Sequence, residues 1–287
     1  MKDIIRFENV VKNYGKVKAL TGISFSVTEG RIFGIFGPNG AGKTTAIKII
    51  LGILKHDSGN VVIGTDNLSY LPEELSLDQS ERVKTMINYI AKLKGIKSKI
   101  RDKELDKWEK ILKIKEFYKR KIYELSKGQK KRVMFLLALL GNPDIIALDE
   151  PFTGLDAEAA ESLKNLVTGL KSEGKTIIFS THILEIAENI CEDVLILKNG
   201  EVKEYGEVES LKEKYSQKGW IVKLKEGSIK ENSVKDMIFT KDGKSVEFSD
   251  NTPLDEIIKK ISPANIVEIK RKYPNFKELY FKSVGEE

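Results

Sequence analysis

A single cysteine, Cys191, stands among 287 residues. An intrachain disulfide is excluded, which fits a reducing cytosol and many other places as well. Long apolar runs are also missing. The longest, Val133 to Leu140, falls far short of the ~20 residues that cross a bilayer. Met1-Lys2-Asp3 leads straight into β-favouring residues rather than an apolar signal segment, and no targeting signal is expected. There is no low-complexity run and no internal repeat. Neither charge sign dominates: 49 Lys+Arg against 43 Asp+Glu give +6. Both signs are interspersed along almost every segment, which reads as a solvated, ion-paired surface rather than a phosphate track, and no specific nucleic-acid partner is expected. At 40 % hydrophobic and 32 % charged, the chain can bury one large core, or one core plus a small appendage.

What is present centres on Gly37-Pro38-Asn39-Gly40-Ala41-Gly42-Lys43-Thr44-Thr45. This glycine-rich loop follows the apolar run Arg31 to Phe36 and precedes Ala46 to Leu51, giving the strand, loop and helix of a phosphate-binding P-loop. The glycines let backbone N–H groups turn inward, and the following helix points its positive dipole end at the same spot. A polyanion is expected there, with Lys43 reaching the β- and γ-phosphates. The Thr44 hydroxyl is expected in the shell of a Mg²⁺, which prefers hard oxygen ligands.

Ahead of the P-loop, residues 4–10 and 19–27 read as strands joined by the polar turn Asn13-Tyr14-Gly15-Lys16, an antiparallel sheet. Tyr14 offers either a stacking surface for an adenine ring or an ordinary turn aromatic. After the P-loop helix come a turn at 57–60, a short strand at 61–63 and another at 68–71 stopped by Pro72. From about Ser80 to Tyr123, Lys, Glu, Leu and Ile recur with helical spacing, as in Val83, Met86, Ile87, Ile90 and Leu93, indicating a helical insertion whose apolar stripe packs inward.

Leu125-Ser126-Lys127-Gly128-Gln129 opens an apolar helix running to Leu140. Ser126 can cap it, and its free first-turn N–H groups make a second anion site. Asn142-Pro143 breaks this helix. Ile145 to Leu148 then read as a parallel strand buried on both faces, ending in Asp149 and Glu150. Ligands sit at such strand ends. Asp149 is expected to hold Mg²⁺ and Glu150 to polarise the attacking water. Thr153-Gly154-Leu155-Asp156 makes a turn that caps a helix to about Lys171, and 176–180 is a further buried strand ending at Thr181-His182. Of the two histidines, His56 lies in a polar turn, whereas His182 sits at a core strand end where an imidazole can meet a phosphate. Residues 193–198 and 201–205 flank an Asn-Gly hairpin turn. A helix through Tyr215 closes this domain. Residues 216–287 restart as strands at 220–224, 237–240 and 245–248, with a turn at Asp242-Gly243 and a helix at 254–261: a small α+β domain with nothing catalytic in it.

Five features in order, the P-loop, Leu125 to Gln129, Ile145 to Glu150, Thr153 to Asp156 and Ser180-Thr181-His182, resemble the ATP-binding subunit of ABC transporters over residues 1–215. The resemblance implies an α/β P-loop NTPase of ABC type with an antiparallel β subdomain, a helical insertion at about 74–123 and the C-terminal appendage. It implies ATP and Mg²⁺ as ligands. It implies a second ATPase subunit, identical or not, with each ATP held between one copy's P-loop and the other's Ser126, Gly128 and Gln129. Tyr14 then stacks on adenine, Asp156 belongs to the loop that meets the partner, and His182 senses the γ-phosphate. The insertion carries the groove for a transmembrane permease, at the cytoplasmic face of the membrane. Lys127 departs from the commonest signature, which has glycine. Glu73 stands where the family usually has glutamine, and is assigned as a metal-facing residue, with Gln79 as a rival. Tyr70-Leu71-Pro72-Glu73-Glu74 and the tail Phe276 to Phe281 look most like the exporter-type, ABC-2 branch. The competing reading is a soluble ABC ATPase acting on nucleic acid or protein assembly. Residues 45–125 are too short for the coiled coil of chromosome and repair members, and the chain has one cassette where translation-factor members have two.

Overall fold

β-Branched and aromatic residues recur through the first 63 positions, which hold four strands: β1 (Asp3–Tyr14), β2 (Val17–Thr28), β3 (Ile32–Phe36) and β4 (Ser58–Ile63). The computed structural model describes residues 2–73, 77–215, 219–225, 238–239, 245–249, 253–261, 265–271 and 274–285. It divides into two compact units, residues 1–208 and 209–287.

In the first unit β1, β2 and β4 make an antiparallel sheet in the order β2-β1-β4. Ile5, Phe7 and Val10 of β1 point into the core, and Phe7, Phe25 and Phe33 stack in sequence with centroids 4.5 and 5.6 Å apart. Two turns differ from expectation. Tyr14 pairs with Val17, so the hairpin turns in Gly15-Lys16 alone, with Gly15 at φ 58. Residues 58–60, expected as a turn, already pair with β1. A Cβ at Gly59 would lie 2.4 Å from the Asn9 carbonyl, so glycine lets β4 start here beside the β1 bulge.

The remaining elements of this unit mix helices and strands, with α2, α3 and α4 in succession before β6. They are α1 (Lys43–Ile50), β5 (Leu68–Leu71), α2 (Val83–Leu93), α3 (Ser98–Leu112), α4 (Lys127–Leu139), β6 (Ile145–Asp149), α5 (Ala157–Ser172), β7 (Thr176–Thr181), α6 (Leu184–Ile190), β8 (Asp193–Lys198) and β9 (Glu201–Glu207). They build a six-stranded sheet, β5-β6-β7-β3-β8-β9, parallel except for the edge strand β9. β3, β6 and β7 are buried at every position, as strands covered on both faces must be.

The helical stretch resolves into α2 and α3; residues 74–76 lie outside the described residues. Val83, Met86 and Ile87 pack inward, but Leu93 is 64 % exposed because α2 ends there and the chain turns away. The next residue, Lys94, sends its ammonium to the carbonyls of Leu137, Ala138 and Leu140 at 3.0, 3.3 and 2.8 Å, satisfying the frayed end of α4. Helix α4 is buried without interruption from Val133 to its end, and leaves helical geometry at Leu140, one residue short of the expected end.

The second unit holds α7 (Val208–Lys214), β10 (Gly219–Leu224), β11 (Ile238–Phe239), β12 (Ser245–Ser249), α8 (Leu254–Lys260), β13 (Ile266–Arg271) and α9 (Phe276–Val284). Its four strands are antiparallel in the order β11-β12-β10-β13 over a core of Val222, Leu224, Val246, Phe248, Ile257 and Ile261. β13 and α9 were not anticipated from the sequence, and the Asp242-Gly243 turn lies outside the described residues. Among the described residues, no helix is long and apolar enough to cross a membrane.

Candidate ATP-binding and hydrolysis site

Register sets the site. Phe36 pairs with Thr181 and Asp149 with Ser180, so β3, β6 and β7 end level with one another and release their loops at one edge. Such carboxyl edges are where open α/β sheets take ligands. At this edge lies a cleft of about 590 Å³ lined by Tyr14, Val17, Ala19, Asn39 to Thr45, Glu73, Glu150, Thr153 and His182.

The P-loop has its shape because side chains are forbidden there. A Cβ on Gly37 would stand 2.3 Å from the Leu197 carbonyl, and one on Gly42 would stand 2.6 Å from the Ala19 carbonyl. Gly42 caps α1 at φ 105 without offering a side-chain acceptor, and the first turn of α1 holds no acid. Its amides and dipole are therefore left for an anion. Lys43, 6 % exposed, donates to the carbonyls of Gly37 at 2.8 Å and Pro38 at 3.3 Å. The same ammonium lies 3.5 Å from Glu150 Oε1.

Thr44 Oγ1 donates to Asp149 Oδ1 at 3.1 Å. The Asp149 carboxylate is further held by the hydroxyls of Ser180, on the same oxygen, and Tyr70, at 3.3 Å on the other. Burial and the facing Asp149 charge push the Tyr70 phenol up, so it stays a donor. Among the described residues, no group of three or more His, Cys, Asp or Glu side chains could hold a metal. Thr44 and Asp149 thus offer a hard cation two close oxygens and leave its other positions to phosphate and water, which suits Mg²⁺.

Glu150 is 5 % exposed and sits at φ 46, a left-handed backbone that costs a non-glycine residue free energy. Neighbours enforce it. Its amide donates to Ser180 Oγ at 3.0 Å, and its carbonyl accepts from Lys131 Nζ at 3.1 Å. Its Oε2 accepts from Thr153 Oγ1 at 3.2 Å and lies 3.0 Å from His182 Nδ1. The His182 side chain is 52 % exposed, so it touches both the carboxylate and the open cleft. A carboxylate, an imidazole and an ammonium therefore converge at the cleft.

Tyr14 lines the cleft with 49 % of its surface exposed, open for stacking. Glu73 lines it too, while Gln79 lies outside that lining, bonded to the Leu77 carbonyl and to Lys130. Ser126, Gly128, Gln129 and Asp156 do not line the cleft. Ser126 and Gln129 close a reciprocal cap on α4, Gly128 has open space at its Cβ position, and Asp156 caps α5 through Ala159 N at 2.8 Å. Tyr70, Ser180, Thr153 and Lys131 received no role from the sequence. A buried hydroxyl at the end of a core strand was the available signal for Ser180.

Residues 20–153 match a family model described as ABC transporter. The chain is 44 % identical over 211 residues to an ABC transporter ATP-binding protein of Methanocaldococcus jannaschii, covering 74 % of this chain and 80 % of the relative. It is 31 % identical over 210 residues to the linearmycin resistance ATP-binding protein of Bacillus subtilis, covering 69 % and 68 %. A solved ATP-binding subunit of an ABC transporter superposes with a TM-score of 0.69 at 28 % identity, over 74 % of this chain and 93 % of that one. With the P-loop, the paired acids and the histidine on one sheet edge, these similarities identify the chain as a member of the ABC transporter ATP-binding proteins, an ATPase family.

Proposed function

We propose that Lys43, Thr44, Asp149, Glu150 and His182 hydrolyse ATP as a Mg²⁺ complex and so power a separate membrane permease. The carrying observation is that Lys43, Thr44, Glu150 and His182 line one cleft at the ends of β3, β6 and β7, with Asp149 bonded to Thr44 beside it. The P-loop amides and Lys43 hold the phosphates. Thr44 and Asp149 hold the cation, which supplies charge neutralisation on the phosphate oxygens. Glu150 takes the proton of the attacking water, and His182, hydrogen-bonded to it, orients that carboxylate and meets the terminal phosphate. Family members pair, and Ser126, Gly128 and Gln129, remote from their own cleft, are free to close the cleft of a second subunit. Export is the favoured direction, in keeping with the resistance role in the Bacillus subtilis relative's name. The subunit then works at the cytoplasmic face of the membrane, docked on its permease.

Glu150→Gln tests this. Binding rests on the P-loop, so the variant should keep ATP affinity while hydrolysis slows ~10²-fold or more. It should also accumulate as an ATP-bound dimer by size. A monomer turning over at the parent rate would remove Glu150 from its role.

A further inference from the structure

Helix α4 begins at the segment expected to face a partner, yet one turn later it reaches back into the hydrolytic turn of its own chain. Lys131 is 8 % exposed, and its ammonium donates to the carbonyls of Glu150 at 3.1 Å and Thr153 at 3.3 Å. Thr153 in turn donates its hydroxyl to the Glu150 carboxylate at 3.2 Å. Lys127, one turn earlier, lays its own ammonium against Gly154: a Cβ there would lie 2.3 Å from Lys127 Nζ. Lys131 thus holds the stretch in which Glu150 keeps its left-handed backbone, and Lys127 lies beside the end of that stretch.

Burying an ammonium is costly, and Lys131 is pushed down to about 8, chiefly by desolvation. A purely structural site would be filled more cheaply by an apolar side chain. A charge kept there, bonded to the carbonyl of the residue that acts on water, has a use in holding that residue still.

We propose that Lys131 is a positioning residue for the Glu150 carboxylate, transmitting the placement of the α4 N-terminus to the base of the same chain. Any shift of Ser126-Lys127-Gly128-Gln129 on meeting a partner would be carried one helical turn to the Glu150 and Thr153 carbonyls. The inference rests on the reading of Glu150 as base. Lys131 does not line the cleft, so its effect falls on kcat.

The test uses the full chain and its ATPase rate. Lys131→Met leaves both carbonyls without their donor, and should lower kcat about 10- to 100-fold with KM and the affinity for a fluorescent ATP analogue within about threefold. Lys131→Arg, which keeps charged donors, should recover kcat to within about threefold of the parent. In a Glu150→Gln background Lys131→Met should add no further loss, since both changes act on one step. If Lys131→Met does not fold, Lys131→Gln takes its place, with an expected loss of about three- to tenfold. A folded Met or Gln variant within about twofold of the parent kcat overturns the proposal. So does a fall in nucleotide affinity equal to the fall in kcat/KM, or no recovery with arginine. An active Glu150→Gln enzyme would instead strike down the assignment of the base.

Discussion

Ser180 is a side chain on which both acids of the site depend. It is fully buried, donates to Asp149 Oδ1 and accepts from the Glu150 amide at 3.0 Å, so one hydroxyl ties both acids to β7. Ser180→Ala removes both bonds. A buried amide without a partner costs about 1–3 kcal/mol, and a hydrogen bond to an ionised group contributes about 1.5–3 kcal/mol. Asp149 keeps Thr44 and Tyr70, so the two losses do not sum fully. The expected destabilisation is about 2–4 kcal/mol, or a Tm lower by roughly 5–15 °C for a unit of this size. Because the amide is one of the restraints that keep Glu150 in its left-handed conformation, kcat should fall about tenfold or more as well. Thermal unfolding followed by two probes, alongside steady-state ATPase assays, measures both. An alanine variant with Tm within about 1 °C of the parent and unchanged kcat would refute the reasoning.

Glu73 lines the cleft as an acid. Glu73→Gln should keep ATPase activity to within about tenfold, whereas Glu73→Ala should weaken stimulation by the membrane partner more than basal turnover; equal, parental stimulation in the alanine variant would reduce Glu73 to a solvated loop acid. None of the described residues of 219–287 lines the cleft, so a chain ending at about Gln217 should bind ATP, and a folded truncation that cannot would refute their dispensability. Lys131 gives a pH signature. It feels Lys127 on its own helix, Glu150 and Glu73 from the β6 and β5 ends, and shares a cavity with Lys113, Arg132 and Glu158. Its ammonium is charged below about 8 and neutralises as pH rises through that value, so parental kcat should decline there, while Lys131→Arg should carry its activity to higher pH. Stability runs the other way: between about 8 and the ordinary 10.5 the unfolded chain holds this proton more tightly, so this group's contribution to folding improves with pH. A parental kcat profile that is flat from pH 7 to 9 would contradict this titration.

Where function could be read from the sequence, short-range chemistry had fixed it. The P-loop is legible because glycine spacing is a backbone requirement of residues 37–42 themselves, and Ile145 to Glu150 is legible because four apolar residues ending in two acids have few other uses. Tyr70, Ser180 and Lys131 were opaque because their meaning is tertiary. Each joins Asp149 or Glu150 from another element, and no local pattern marks a hydroxyl or an ammonium for that service. β13 was missed for a related reason. Ile-Val-Glu-Ile-Lys-Arg alternates only in part, and what makes it a strand is its partner β10, distant in sequence. The length of the first hairpin likewise depended on whether Tyr14 would pair with Val17, which the turn residues alone do not dictate.

The tip of the β8–β9 hairpin has a bearing on how the protein is made. Asn199 and Gly200 turn at φ 54 and 76, and the Gly200 amide bonds the Ala41 carbonyl of the P-loop while its own carbonyl receives the Thr21 amide at 2.9 Å. The Leu197 carbonyl is what forbids a side chain at Gly37. One wall of the phosphate cradle is thus supplied by residues translated long after the cradle itself. At roughly 5–20 residues per second, the stretch from Ala41 to Gly200 takes about 8–30 s to synthesise. During that interval a nascent chain owns a complete glycine-rich loop backed by β2 but without its hairpin wall. A ligand stabilises only a fold that can bind it, so this wall joins that coupling late in synthesis.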